Sequence, residues 1–338
     1  MATMNNGLGR RELLMGVGTL AASACVAPRA IGAPQPRAAG AMTDRPVNGG
    51  GFYRFALGDA ELTLISDGSF PFNPPHPIFG PDQTKETVEA RFAEEFIPAD
   101  KVTGQVNTLL VPTADGYVLI DAGCGTLFGP GTGKVIEALG RLGVSPRDIA
   151  KVFVTHAHGD HIGGAFAADG TANFPNATFL MTKAEHAFWG GAEPDMSRSR
   201  LPKESAAGMV AGAKAFIERA GAGLTIVNPG DEVAPGVRVI EIPGHTPGHA
   251  ALHVSRGKEQ LLYVADVVHH AAVGFAKPDW HVLFDVDPAL AASSRRGVLA
   301  RAAGDRVLVS GSHLPFPAVG HVRARGDGYE WVPSPWAW

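Results

Sequence analysis

The chain of 338 residues has almost no cysteine, only Cys25 close to its start and Cys124 further on. Cys25 lies in a segment expected to be removed, so the mature chain could form no internal disulfide, and a disulfide-stapled scaffold is excluded. A thiolate metal site is excluded by the same scarcity. Lys and Arg form no run, and the formal net charge is −4. Phosphate contacts need clustered cations, so no nucleic acid partner is expected, and no strongly charged substrate is implied. Also missing are an internal repeat, a glycine loop of the kind that cradles phosphate, and a composition break that would divide the chain. Hydrophobic residues at 45% and charged ones at 18% describe a globular protein with ample material for a core. One large domain is the expectation, because the candidate site residues described below span most of it.

The N-terminus reads differently. Arg10-Arg11 precedes a modest Gly/Ala-rich apolar run over residues 15–24, too short for the ~20 residues that span a bilayer. Paired arginines before such a run predict a twin-arginine-type export signal over residues 1–33, with cleavage near Ala33. The mature protein would then be periplasmic or secreted. A second reading takes Ala22-Ser23-Ala24-Cys25 as a lipoprotein site, although an alanine stands where a bulky aliphatic residue is expected. Residues 34–51, rich in Ala, Pro and Gly, are expected to be a flexible linker, with the folded domain over 52–338.

What the chain does have is histidine and aspartate in a telling order. Thr155-His156-Ala157-His158-Gly159-Asp160-His161 follows the apolar run 151–154. His156 and His158 are two apart, so both rings can point to one side of a strand end. Four donors within six residues cannot all reach one ion without strain, and two neighbouring ions are the simpler arrangement. Downstream, the apolar runs 237–242, 261–265 and 307–312 finish respectively in His245, Asp266 and His313. Polar groups on strand-end loops over a rigid apolar scaffold are what a metal site requires. Imidazole and carboxylate donors suit two divalent ions such as Zn²⁺, with Mn²⁺, Co²⁺ and Fe²⁺ as further options.

With Gly244-His245-Thr246-Pro247-Gly248-His249 added, these motifs resemble the metallo-β-lactamase superfamily over roughly residues 52–325. Within it the chain is most similar to the methyl parathion hydrolase-like organophosphorus hydrolases, through residues 53–59, 64–68, 265–276 and 311–317. The resemblance implies an α+β fold, a four-layer αββα sandwich with its metals at one edge. It implies that His156, His158 and His245 hold one ion, that Asp160, His161 and His313 hold the other, and that Asp266 bridges both. Asp121, ending the run 117–120, matches a supporting residue of the family, and His249 a loop-stabilising one.

Two cations about 3.5–4 Å apart can share a water and lower its pKa from about 15.7 toward about 7. The expected enzyme is therefore a dinuclear metal-dependent hydrolase of neutral esters, in which the bridging hydroxide attacks phosphorus or a carbonyl carbon. Asp266 and Asp160 are the candidate catalytic carboxylates. A phosphotriester (organophosphate) substrate is the leading expectation, with lactone or aryl ester hydrolysis beside it. An acyl-homoserine lactonase is the main alternative, although that family usually has a tyrosine where His269 stands. A thioesterase finds only a thin echo in Arg323 and Arg325, and Asp160 with Asp266 departs from the ligand set of true β-lactamases. A non-catalytic, metal-stabilised binding domain is disfavoured by the intact donor set. Phe128, Trp189, Phe284 and His269 are expected to line a greasy substrate pocket. The tryptophan-rich tail over 331–338 is expected to pack on the domain or a partner subunit, and the family resemblance suggests a homodimer.

Overall fold

A computed structural model describes residues 49–335. The expected export signal, most of the linker, and Trp336 and Trp338 of the tail lie outside the described residues. Two seven-stranded sheets, each following chain order, make up the fold. The first runs β1 (Phe52–Leu57), β2 (Ala60–Pro71), β3 (Thr103–Thr113), β4 (Gly116–Ile120), β5 (Ile149–Val154), β6 (Thr178–Thr182) and β7 (Leu224–Val227). The second contains β8 (Glu232–Ala234), β9 (Val237–Glu241), β10 (Ala250–Arg256), β11 (Glu259–Tyr263), β12 (Leu308–Ser310), β13 (Val319–Arg325) and β14 (Gly328–Pro333).

Alternation within the strands explains the layers. On β4 and β5, Val118, Ile120 and Phe153 join the central core that also takes in Val239, Leu252 and Leu261 of the second sheet. Their neighbours Leu119, Val152 and Val154 turn outward to a second core. There they meet the helices Val135–Leu142, Lys183–Gly190 and Lys203–Ala220 through residues such as Leu139, Trp189 and Phe216. Burying both faces makes these strands near-continuous apolar runs. Each fully buried side chain of this size contributes roughly 1.5–3 kcal/mol. The helix Pro288–Asp305 covers the second sheet and adds Leu299 and Ala302 to the central core. The result is the α+β, four-layer αββα sandwich.

Strand direction decides where the site lies. β4, β5 and β6 are mutually parallel, so their C-terminal ends share one edge. In the second sheet β10 is antiparallel to both β9 and β11, and β11 is parallel to β12. Hence β9, β11 and β12 all point the same way. Each donor-bearing loop follows the C-terminal end of one of these strands, which is why residues remote in sequence can meet.

β2 is 12 residues long and carries a bulge between Ser66 and Gly68. The bulge re-aims the buried Asp67 carboxylate to accept bonds from the N–H groups of Cys124, Gly133 and Val135. Gly68 sits at φ 118°, and a Cβ there would lie 2.0 Å from the Gly131 carbonyl oxygen. The helix Val135–Leu142 ends on Gly143 in the left-handed region, φ 74°. No helix among the described residues is long and apolar enough to cross a membrane.

Candidate metal centre

β4 and β5 deliver the first cluster together. Asp121 follows β4 at φ 66°, a left-handed conformation uncommon for a residue with a side chain. That turn aims its carboxylate at Thr155, from whose N–H it accepts at 2.8 Å and from whose hydroxyl at 2.9 Å. It also bonds His161 Nδ1 at 2.8 Å. His156 and His158 follow β5, and the short helical turn Gly159–Ile162 carries Asp160 and His161. His245 stands on the β9–β10 turn, where Gly244 passes so close to the helix Pro288–Asp305 that a Cβ would lie 2.2 Å from Ala291 N. Asp266 follows β11 directly after Ala265, which is itself at φ 46°. His313 follows β12.

The seven expected donors converge. His156, His158 and His245 form one group, and Asp160, His161, Asp266 and His313 a second, each with its donor atoms within 4.8 Å of one another. His245 Nε2 is 3.1 Å from His156 Nε2. Asp266 Oδ2 lies 3.8 Å from His156 Nε2, 3.5 Å from His245 Nε2 and 2.9 Å from His313 Nε2. Its Oδ1 lies 3.2 Å from His161 Nε2, and Asp160 Oδ2 is 3.5 Å from His161 and 3.3 Å from His313. Donors held about 2.0–2.2 Å from one tetrahedral ion are themselves separated by about 3.3 Å. The observed spacings match that separation. His158 Nε2, His161 Nε2 and Asp266 Oδ1 are moreover buried with no hydrogen-bond partner, an expensive state unless something else satisfies them. The residues therefore fit a pair of divalent cations.

Outer partners fix the rings. His245 Nδ1 bonds Asp285 Oδ1 at 2.8 Å, His313 Nδ1 bonds the Gln105 carbonyl at 2.6 Å, and the Thr155 hydroxyl lies 3.1 Å from His156 Nδ1. These bonds turn Nε2 of all three, and of His161, toward the centre. His249 is a strut, as expected: its Nδ1 bonds the Ile242 carbonyl and its Nε2 accepts from Asp266 N–H. Burial keeps His156 and His158 neutral, well below the usual imidazole range, and brings His245 down to about 4. Burial opposes ionisation of Asp160 and Asp266 too, yet His161 and His313 beside them hold both carboxyls well below the ordinary value. In return, against the desolvation that lowers them, these carboxylates lift His161 well above its ordinary value and His313 to about 10. Without metal, the anionic pocket is balanced by protons on those two rings.

The expected pocket residues separate. Phe128, at 39% exposure, stacks on Phe70 at 4.9 Å. Phe284 lies 6.0 Å from Phe72 and 6.3 Å from His269. His269 sits deeper than a wall residue, 3.5 Å from Asp266 Oδ2. Trp189 is a correction: it is fully buried, so it cannot line an accessible pocket. Its indole N–H donates to Glu185 Oε1 at 2.6 Å, and it packs edge-on behind His158. Cys124 is buried as a packed thiol, and desolvation raises its pKa, so it is no nucleophile. Trp331 lies on β14 and stacks on Phe275 at 5.5 Å.

Glu185, Asp285 and Asn107 do structural work at the site that sequence reasoning missed. Glu185 has no solvent exposure and lies between the two histidine loops. It accepts from Ala157 N–H at 2.8 Å on one side, and from the Thr246 hydroxyl at 2.6 Å and Gly248 N–H at 3.0 Å on the other. Asp285 is backed by the buried Arg295 at 3.6 Å, and Asn107 of β3 donates to the carbonyls of Ser312 and Leu314 around His313. A capping Thr182 before Glu185 was the one local signal available.

Comparison with known proteins fits this geometry. The sequence model of the metallo-beta-lactamase superfamily matches residues 102–323. The chain belongs to that superfamily. Among superfamily relatives, a probable metallo-hydrolase of Mycobacterium bovis is 30% identical over 186 residues, 48% of this chain and 57% of its own length. An N-acyl homoserine lactonase of Bacillus cereus is 25% identical over 162 residues, 48% of this chain and 55% of that one. The chain thus spans just over half the length of these curated relatives. Solved structures align more fully. AidC, a dizinc quorum-quenching lactonase solved with a product, is 30% identical with a TM-score of 0.81, covering 85% of this chain and 98% of that one. The hydrolase AbOPH is 31% identical with a TM-score of 0.76 over the same shares.

Proposed function

We propose that the chain hydrolyses lactones and related neutral esters at a dinuclear centre, with phosphotriesters as a second substrate class. One observation carries the substrate reading: phenyl rings run from the exposed Phe128 through the part-buried Phe70 and Phe284 toward the donors, with Phe72 buried behind them. Phe128 stacks on Phe70, Phe70 meets Phe72 at 4.9 Å, and Phe72 lies 6.0 Å from Phe284. The inner rings end 6.2–6.4 Å from His313 and His269. Such a wall favours an apolar acyl or aryl group over a charged one. The likeness to AidC moves lactones ahead of the phosphotriesters that the sequence motifs favour.

His156, His158 and His245 would hold one cation, Asp160, His161 and His313 the other, with Asp266 between them. Two such cations supply Lewis acidity and a water acidic enough to attack near neutral pH. Asp266 is the side chain that faces both groups, so its ionised carboxylate would orient the attacking water as well as bind. Asp160, also ionised, would offset charge beside His313. A phenolate leaves without a proton, and this is what keeps aryl phosphotriesters in view; a lactone alkoxide needs one. Comparing the metal-loaded enzyme on a lactone, a phosphotriester, an aryl ester and a thioester tests the reading. A fastest rate on the thioester, or none on any, would refute it.

Export through the twin-arginine-type segment, and pairing into a homodimer, complete the proposal. Recovery of a shortened chain from the periplasm tests the first, and light scattering on the purified protein the second.

A further inference from the structure

His269 is the histidine of the centre that the seven-donor reading does not use. Its ring is buried at 3% exposure, and both of its nitrogens lack a hydrogen-bond partner among the described residues. By contrast, His156, His161, His245, His249 and His313 each spend Nδ1 on a hydroxyl, carboxylate or carbonyl. Leaving a buried polar atom unsatisfied is costly, and this ring leaves two. Position points to what would satisfy it. His269 Nε2 lies 3.5 Å from Asp266 Oδ2, the same distance as His245 Nε2 from that oxygen. Donor atoms of His245, Asp266 and His269 fall within 4.8 Å of one another, a third metal-capable group that shares two members with the others. The ring is held there by near-parallel stacking on His313 at 5.5 Å and 16°, and by Phe284 on its outer side.

We propose that His269 is an eighth donor, toward the cation that His245 and Asp266 would hold. This rests on the dinuclear reading above. His269 would then add an imidazole to the donor set of His156, His158, His245 and Asp266.

The test titrates ion-free protein with Zn²⁺ against a chromophoric chelator, and with Co²⁺ followed by visible absorption, for wild type, His269→Leu and His269→Gln. If the wild type binds fewer than two ions per chain, the dinuclear reading itself fails. Given two, His269→Leu is expected to weaken one affinity at least tenfold and leave the other within twofold. Its Co²⁺ spectrum should gain intensity, as that ion absorbs more strongly at lower coordination number. His269→Gln, which keeps bulk and one oxygen donor, should fall between, and it decides the matter if the leucine variant does not fold. Isotherms and spectra that superimpose on wild type would overturn the proposal and leave His269 a substrate contact only.

Discussion

Asp266 turns one carboxylate oxygen to His161 and the other to His156, His245, His269 and His313. Asp266→Asn keeps the size but removes the negative charge and one of the two oxygen donors, and activity should fall on the order of a hundredfold or more with the fold intact. Near-normal turnover in the folded variant would remove Asp266 from the bridging position. Glu185 acts without facing an ion. Glu185→Gln sets an amide group against donors that need an acceptor, so zinc affinity should drop about 10–100-fold. Chelator competition measures it, and unchanged affinity would reduce Glu185 to a packing role. Protons compete as well. His161 and His313 are lifted by their carboxylates, so both carry a proton in the ion-free chain at neutral pH. Loading must release these protons, and affinity should therefore rise with pH toward about 10, where His313 loses its own. Calorimetry in buffers of differing ionisation enthalpy would show the release. The donors were legible in the sequence because four are nearly contiguous and three end apolar runs. Glu185 and Asp285 were not, because their partners on the histidine loops lie 28–63 and 40 positions away.

At the scale of elements, strands were easier to read than short helices. β4 and β5 announce themselves as apolar runs, while the bulge in β2 and its length depend on pairing with β3 that no local pattern encodes. The helix Lys183–Gly190 was missed because its buried face carries Glu185 beside Trp189, which breaks the apolar periodicity. The same masking explains the misplacement of Trp189: an aromatic near metal loops reads as a wall until its N–H is seen satisfied inside. Trp189→Ala should accordingly cost about 3–5 kcal/mol of stability. Phe70→Ala and Phe128→Ala should instead raise KM for aryl and long-chain esters more than for small ones; a uniform response would count against the aromatic wall. Asp287 caps the helix Pro288–Asp305 by accepting from Leu290 N–H, and its own N–H bonds Gly244 beside His245. Asp287→Ala should cost about 1 kcal/mol in denaturant melts.

For the whole molecule, the sheets follow chain order and the chain passes from one to the other once, between β7 and β8. Donors come from both sides: His156, His158, Asp160 and His161 from the first, His245, Asp266 and His313 from the second. Cations bound there should clamp the halves together. At a free concentration a hundred times Kd, each ion adds about 2.7 kcal/mol. Chelation should thus lower Tm by about 4–5 °C per ion, and a melting curve indifferent to chelator would contradict the clamp. The exposed turn at Asn228 and Gly230 is the one peptide link between the two sheets. A protease nick there should leave two pieces held by the apolar core they share, with bound cations tightening the grip.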